Sequence, residues 1–250
     1  MLNKLAVIAL GCGALSSGIL VLAEAPLFAD ATASQPVQIS KTEYVDFAPG
    51  GTIHVKDSFG SLVVEGWDQP QVEITVVKSL GYDSEPAPRA TQRLEGVHIV
   101  AGRQSNTELT ISTARSIPPS RILHPLERTH DVTVEYRIRA PRNSRLVINH
   151  AGGFISVTGM TGDVDATNHR GDIVLMLPDL AACSIDAHTR AGVITSDLTS
   201  ATHRKLSMGE NLNHPESAAG RHLLLRMGFG GITIKEMPPE ALTPAPAVAK

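Results

Sequence analysis

Aromatic residues are scarce in this chain: they make up 4% of its 250 residues, although 42% of the chain is hydrophobic, as in an ordinary globular protein. Charge of one sign is also lacking. Acidic and basic residues nearly balance, with a formal net charge of -3, and no block of lysine and arginine stands out. The sequence therefore lacks the basic footprint of a nucleic-acid-binding protein or of a polybasic membrane patch.

Motifs that carry chemistry are missing as well. The chain has no Gly-x-Ser-x-Gly nucleophile elbow and no Gly-Gly-x-Gly-x-Asp string of the nonapeptide calcium roll. Its two cysteines are Cys12 and Cys183. We therefore expect no enzyme, no bound cofactor and no metal site.

The N-terminus has the features of an export signal. Lys4 precedes a long apolar run, and Ala29-x-Ala31 is the small-x-small pattern that signal peptidase reads. We predict that residues 1–31 are a signal peptide, with cleavage after Ala31 and Ala25 as the second choice. The mature protein would then lie in the periplasm, on the outer surface or outside the cell, without a membrane span.

Two alternatives to cleavage remain open. The apolar run is nearly long enough to span a bilayer as an uncleaved anchor, and the partial lipobox before Cys12 would allow lipidation at that cysteine. If cleavage occurs, Cys183 is the only remaining thiol and has no partner for an internal disulfide. We expect it to be a buried small apolar residue.

Glycine is abundant, with 21 residues, and part of it marks a repeat. Gly162-Asp163-Val164-Asp165-Ala166 is followed nine residues later by the similar Gly171-Asp172-Ile173-Val174-Leu175. The unit is a glycine, alternating apolar residues over five positions, and four turn-like residues. Further copies, some with a substituted first residue, begin at Gly51, Gly60, Gly153, Cys183, Gly192, Arg221 and Gly230.

Alternation with a period of two predicts half-buried strands, and so small a unit must stack on its copies to bury its apolar face. In a β-solenoid or parallel β-helix-like fold, alternate units pair in parallel; in an antiparallel β-sandwich, consecutive units pair as hairpins. We expect the solenoid, because the turns Thr167–Arg170 and His188–Ala191 are not hairpin signals of the Asn-Gly type.

The chain divides into regions by pattern. We predict an N-terminal β region over 36–149, the repeat over 150–236, and a disordered Pro/Ala-rich tail over 237–250. Polar, proline-bearing loops around Tyr82 and Ile117–Leu126 are long enough to be mobile or functional. The interruption of the repeat between residues 197 and 221, or the tail, is expected to cover an open end of the strands.

Two stretches resemble a known family. "DVTVEYRIRAPRNSRLVINHAGGFISVTGMTGDVDATNHRGDIVLMLP" (131–178) and "GGTIHVKDSFGSLVVEGWDQPQVEITVVKS" (50–79) are similar to the DUF4097 family of exported bacterial proteins, named putative adhesins. The resemblance covers most of the mature chain. It implies an all-β repeat domain outside the cytoplasm with an adhesive role, and it brings no catalytic residues.

Three aspartates are candidate surface-binding residues: Asp163, Asp165 and Asp186. If the units that begin at residues 162 and 183 stack directly, Asp165 and Asp186 become neighbours on the outward face. Such like charges are unfavourable unless a cation or a basic side chain lies between them. The same pair is the best candidate for a polysaccharide-active enzyme, which needs two carboxylates flanking the scissile bond; a hydrated acidic stripe is the simpler interpretation.

Two further patterns invite functional interpretations. Arg170-Gly171-Asp172 is an Arg-Gly-Asp tripeptide, but the repeat already requires its glycine. His150, His169 and His188 fall shortly before unit glycines at unequal offsets, so we expect solvated turn histidines rather than one aligned metal site.

The sequence thus predicts a non-enzymatic exported bacterial envelope protein, adhesin-like, which presents a β-repeat surface to an extracellular glycan or protein. One alternative is a periplasmic module that binds a glycan or small ligand through its long loops. The other is a polysaccharide-active enzyme using Asp165 and Asp186.

Overall fold

The computed structural model describes residues 38–80, 87–115, 132–198, 202–204, 209–215 and 220–238. These residues are almost entirely β, and they include one α-helix, α1 (Ala87–Glu95), and a short 3-10 helix (Leu180–Ala182). The strands are β1 (Gln38–Asp46), β2 (Thr52–Trp67), β3 (Gln71–Leu80), β4 (Val97–Ser105), β5 (Glu108–Arg115), β6 (Val132–Pro141), β7 (Arg145–Thr158), β8 (Val164–Leu177), β9 (Cys183–Ala191), β10 (Ile194–Ser196), β11 (Thr202–Arg204), β12 (Glu210–His214), β13 (Arg221–Phe229) and β14 (Ile232–Glu236).

All fourteen strands belong to one mixed sheet, in which two runs of paired strands share the long strands β2, β7 and β8. The first run is β4-β5-β2-β7-β8-β13-β9-β12-β11, and the second is β1-β3-β6-β2-β7-β8-β14-β10. Pairing is parallel in the middle of each run. Buried residues of both runs, such as Val55 from the first and Leu62 from the second, belong to one core cluster.

The nine-residue unit sets this pairing. Gly153 lies opposite Gly171, and Ile155 lies opposite Ile173, so each unit of β7 pairs in parallel with the unit two further along the chain. Consecutive units do not form hairpins here, and the antiparallel sandwich is wrong for these strands. The path of the sheet runs from β1 at one end to β11 at the other. The pairing establishes that alternate units stack in parallel, and the wider expectation of a solenoid stays a prediction.

A column of glycines marks the places where the chain passes from one run to the other. It consists of Gly60, Gly153, Gly171, Gly230 and Gly192, which all have positive φ between 91° and 148°. A Cβ atom on Gly171 would lie 1.9 Å from the carbonyl oxygen of Gly153, and one on Gly230 would lie 1.6 Å from that of Gly171. Only glycine combines this backbone conformation with such close stacking.

The units that begin outside the glycine column, at Cys183 and Arg221, do not require glycine in the same way. Cys183 begins one of these units with an ordinary extended φ of -100°, and Arg221 pairs with it at the start of the next strand in the sheet. This explains how cysteine and arginine can replace glycine there. Cys183 is fully buried, as predicted, and its Sγ accepts a hydrogen bond from Arg221 Nε at 2.8 Å.

Buried polar side chains donate hydrogen bonds to three of the five carbonyl groups of the glycine column. His150 Nε2 donates to Gly60 O at 3.2 Å, Asn168 Nδ2 to Gly153 O at 3.0 Å, and Thr189 Oγ1 to Gly230 O at 3.3 Å. Each donor stands three residues before the next column glycine along the chain. Unpaired buried carbonyl groups are costly, so this ladder stabilises the corner at which the chain changes runs.

Short antiparallel strands pair with the outermost strands of the parallel part of the sheet. β12, within the interruption of the repeat, pairs with β9, as expected for a segment that protects an edge. Its buried Glu210 also accepts the backbone N–H of Ile194 in the edge strand β10 at 2.7 Å. The described part of the predicted loop around Tyr82 is helix α1, whose last turn is held by Lys78 Nζ donating to Leu94 O at 2.8 Å.

Three predictions fall on parts of the chain outside the described residues. They are the signal peptide of residues 1–31 with its alternatives at Cys12, the loops at Tyr82 and Ile117–Leu126, and nearly all of the 237–250 tail.

Candidate functional site

The acidic candidates do not lie together as the sequence predicted. β13 is inserted between β8 and β9, and its Leu224 pairs with Asp165 on one side and Asp186 on the other. Direct stacking of the two aspartates is therefore wrong. Two strand spacings, about 10 Å, separate their backbones. The repeat specifies that units stack, but it does not specify which distant unit pairs with which.

Asp186 is already engaged by a basic side chain. Arg226 of β13 forms a bidentate ion pair with the Asp186 carboxylate, with hydrogen bonds of 2.8 and 2.9 Å. The hydrogen bond from Arg226 lowers the pKa of Asp186 below its ordinary value. A glycosidase acid needs a raised pKa, so Asp186 is poorly suited to that role.

Asp163 and Asp172 have a shared structural role. Asp163 Oδ1 accepts the backbone N–H of His222 at 2.8 Å, and Asp172 Oδ1 accepts that of Gly231 at 2.9 Å. Each aspartate thus holds the start of the neighbouring strand, which explains why the Gly-Asp pair occurs twice. The aspartate of Arg170-Gly171-Asp172 is one of these two, which supports the structural interpretation of the tripeptide.

The three histidines have different environments. His150 is fully buried in β7, so the prediction of a solvated turn residue is wrong for it. It stands three residues before its glycine, and of the three histidine positions only this one points into the core. Burial lowers the pKa of His150. His169 is exposed, whereas His188 is half-buried and hydrogen-bonded to Asn211. Among the described residues, no group of three or more potential ligands could hold a metal ion.

A groove crosses the strands on the outer side of the glycine column, and we call it the arginine groove. It encloses about 760 Å³, within the range of ligand-binding pockets. Glycine backbone contributes to its wall at Gly152 and Gly228. The side chains that characterise the arginine groove are Phe59, Thr167, His169, Arg170, His188, Arg190, Arg226 and Phe229.

The arginine groove is a cationic surface. Three arginines and two histidines line it, and none of the lining residues is acidic. Arg226 is compensated by Asp186. Arg170 and Arg190 are exposed, and no described residue forms an ion pair or a side-chain hydrogen bond with either guanidinium group. The guanidinium groups of Arg170 and Arg190 are therefore available to bind a ligand.

The repeat places these residues close together on neighbouring strands. Arg170 lies opposite Phe229, which lies opposite Ala191, the neighbour of Arg190. Phe59, Arg170 and Phe229 each directly precede a glycine of the column. Sequence reasoning missed this site, although large side chains recurring immediately before the glycines were a usable signal.

The described residues thus define an all-β protein whose parallel strands stack at a glycine column beside a cationic groove. No helix among them is long and apolar enough to cross a membrane.

Neither a protein-family model nor a curated protein matches the chain. A solved structure of a "putative cell adhesion protein" from Clostridium sporogenes is similar at 9% identity with a TM-score of 0.50, and the match covers 81% of this chain and 100% of that one. A "putative adhesin" from Parabacteroides distasonis has 10% identity and a TM-score of 0.22 over 79% of this chain and 97% of that one. At these identities the first likeness shows a shared fold, and membership of the DUF4097 family stays a prediction.

Proposed function

We propose that this protein is a non-enzymatic, adhesin-like binding protein of the bacterial envelope, and that the arginine groove is its recognition surface. The observation that carries the proposal is the pair of uncompensated guanidinium groups of Arg170 and Arg190 in a concave surface. Exposed arginines are common, but here paired parallel strands fix the backbone positions from which both side chains extend. A fixed backbone removes that part of the entropy cost of binding, and the two arginine side chains still lose rotamer freedom.

Several finer features belong to the same proposal. Export by a signal peptide over residues 1–31 would place the protein in the periplasm, on the outer surface or outside the cell. The stacked units would continue as a solenoid over 150–236 on the N-terminal β region of 36–149. A rigid body of this kind suits a protein that displays a surface rather than one that closes around a substrate.

The acidic residues have a smaller part in this proposal. The carboxylates of Asp163 and Asp186 are committed to the backbone of His222 and to Arg226. Asp165 remains a candidate ligand contact outside the lining of the arginine groove. The loop-binding alternative keeps its own test, since deletion of residues 114–129 should abolish binding if those loops carry the ligand.

The test is binding of the purified full-length protein to an array of bacterial glycans and peptidoglycan fragments, with and without Ca²⁺. We expect saturable binding that is lost in the double variant Arg170→Ala/Arg190→Ala. Arg137→Ala is the matched control, because Arg137 is an exposed strand arginine outside the groove. Equal binding by the wild type and the double variant would contradict the proposal.

A further inference from the structure

We infer that the ligand of the arginine groove is an acidic polysaccharide, whose anionic groups are bound by Arg170 and Arg190 on either side of Phe229. The inference rests on the proposed function, which requires only that the groove binds something. It adds the chemical class of the ligand and the way in which the groove holds it.

Charge favours an anionic ligand. The groove has no acidic lining residue, and its two uncompensated arginines can each donate two parallel hydrogen bonds to a carboxylate or sulfate. Their strands are separated by one intervening strand, so their backbones lie about 10 Å apart. This spacing suits a ligand that carries several anionic groups along its length.

Phe229 favours a body with an apolar face. Phe229 belongs to β13, the strand between those that carry the two arginines, and its side chain is 53% exposed, which is unusual for phenylalanine. A sugar ring presents a C–H face that can cover an aromatic ring while its carboxylate points sideways. Phe59, two strands beyond Arg170 in the same row, offers a second apolar contact further along the groove.

The shape of the groove favours a polymer. Its lining comes from five neighbouring strands, β2, β7, β8, β13 and β9, whose spacing gives a length of about 19 Å. The groove crosses the strands instead of following one.

An acidic peptide fits this surface less well. Peptides commonly bind a sheet by adding a strand to a free edge. The groove lies over the interior of the sheet, where β8 and β13 each already pair on both sides. Their backbone groups are therefore used in the sheet and are not free to bind a peptide in that way.

The experiment is calorimetric titration of the full-length protein with oligogalacturonate, a polymer of carboxylated sugars, and with its methyl ester, which has the same sugar backbone without the charge. We expect binding of the acid and little binding of the ester. Arg170→Ala and Arg190→Ala should each weaken binding about tenfold, the effect of losing one charged hydrogen-bonding group. Phe229→Ala should weaken it too, while Arg137→Ala should bind as the wild type does.

Asp186→Asn gives a test in the opposite direction. This change removes a negative charge beside the groove and frees Arg226. We expect binding of oligogalacturonate to tighten about two- to fivefold, the range of a screened surface ion pair. A polysaccharide-active enzyme that used Asp186 would instead lose its activity.

The outcomes separate this inference from the proposed function. Equal binding of acid and ester would overturn the acidic class while leaving a recognition surface in place. If polyglutamate or anionic phospholipid vesicles bind as tightly as oligogalacturonate, the choice of a polysaccharide is overturned. No binding of oligogalacturonate or of a sulfated glycan such as chondroitin sulfate would overturn the inference, and the glycan array would still test the proposed function.

Discussion

Substitution of Gly171 by alanine tests the glycine column, on which the stacking of the strands depends. Gly171 has a φ of 120°, and an added Cβ would lie 1.9 Å from the carbonyl oxygen of Gly153. Forcing an L residue into such a conformation costs about 1–3 kcal/mol. Relieving the overlap with a backbone atom adds about 1–3 kcal/mol, as overpacking does. We therefore expect Gly171→Ala to lower the free energy of unfolding by about 2–6 kcal/mol.

The matched control is Gly102→Ala in β4. Its φ is not in the positive region, and its Cβ would meet nothing closer than Thr110 O at 3.9 Å. Removing a glycine from a strand interior is otherwise neutral or favourable, so this variant should change stability by less than about 1 kcal/mol. Urea unfolding followed by far-UV circular dichroism measures both values. Equal midpoints for the two variants would refute the role of the column.

Three further predictions concern side chains that support the same architecture. Because burial lowers the pKa of His150, the unfolded state binds its proton more readily; stability should be full above the unfolded value of 6.5 and fall below it, by up to about 1.4 kcal/mol per pH unit. The slope between pH 7.5 and 5.5 should be smaller in His150→Gln, and an unchanged slope would contradict the assignment. Asn168→Ala leaves Gly153 O unpaired and should cost about 1–3 kcal/mol in chemical unfolding, whereas a neutral effect would mean that water replaces the amide. Asp172→Ala should lower the thermal midpoint more than Asp165→Ala, because only Asp172 holds a neighbouring backbone N–H; the reverse order would argue against its structural role.

Much of the fold follows from local pattern. Alternation of apolar residues located the strands around Ile155, Ile173 and Ile232, since side-chain period is a property of a few neighbouring residues. The spacing of the glycines also predicted that alternate units pair in parallel, as Gly153 and Gly171 do. These features depend on residues close together in the sequence.

Other features depend on contacts between distant segments, and local pattern does not encode them. The insertion of β13 between β8 and β9 placed Leu224 where two carboxylates were expected to meet. His150 is buried because of its position relative to the corner, a distinction of one residue from the exposed His169. Helix α1 lies in a region whose polar, proline-containing sequence predicts a loop.

The arginine groove illustrates the same limit at the level of function. Arg170, Arg190 and Phe229 are separated in sequence by the strands and turns of several units. Their proximity arises only after β13 has paired on both sides. A tripeptide motif drew attention to Arg170 for a different reason, and only the register of the sheet shows which side chains accompany it.

The most direct test of the central claim is a crystal structure of the protein with the glycan that binds most tightly on the array. We expect density for the ligand along the arginine groove, with an anionic group within hydrogen-bonding distance of Arg170 or Arg190 and a sugar ring against Phe229. Ligand density on the loops at 114–129, or over Asp165 away from the groove, would contradict it.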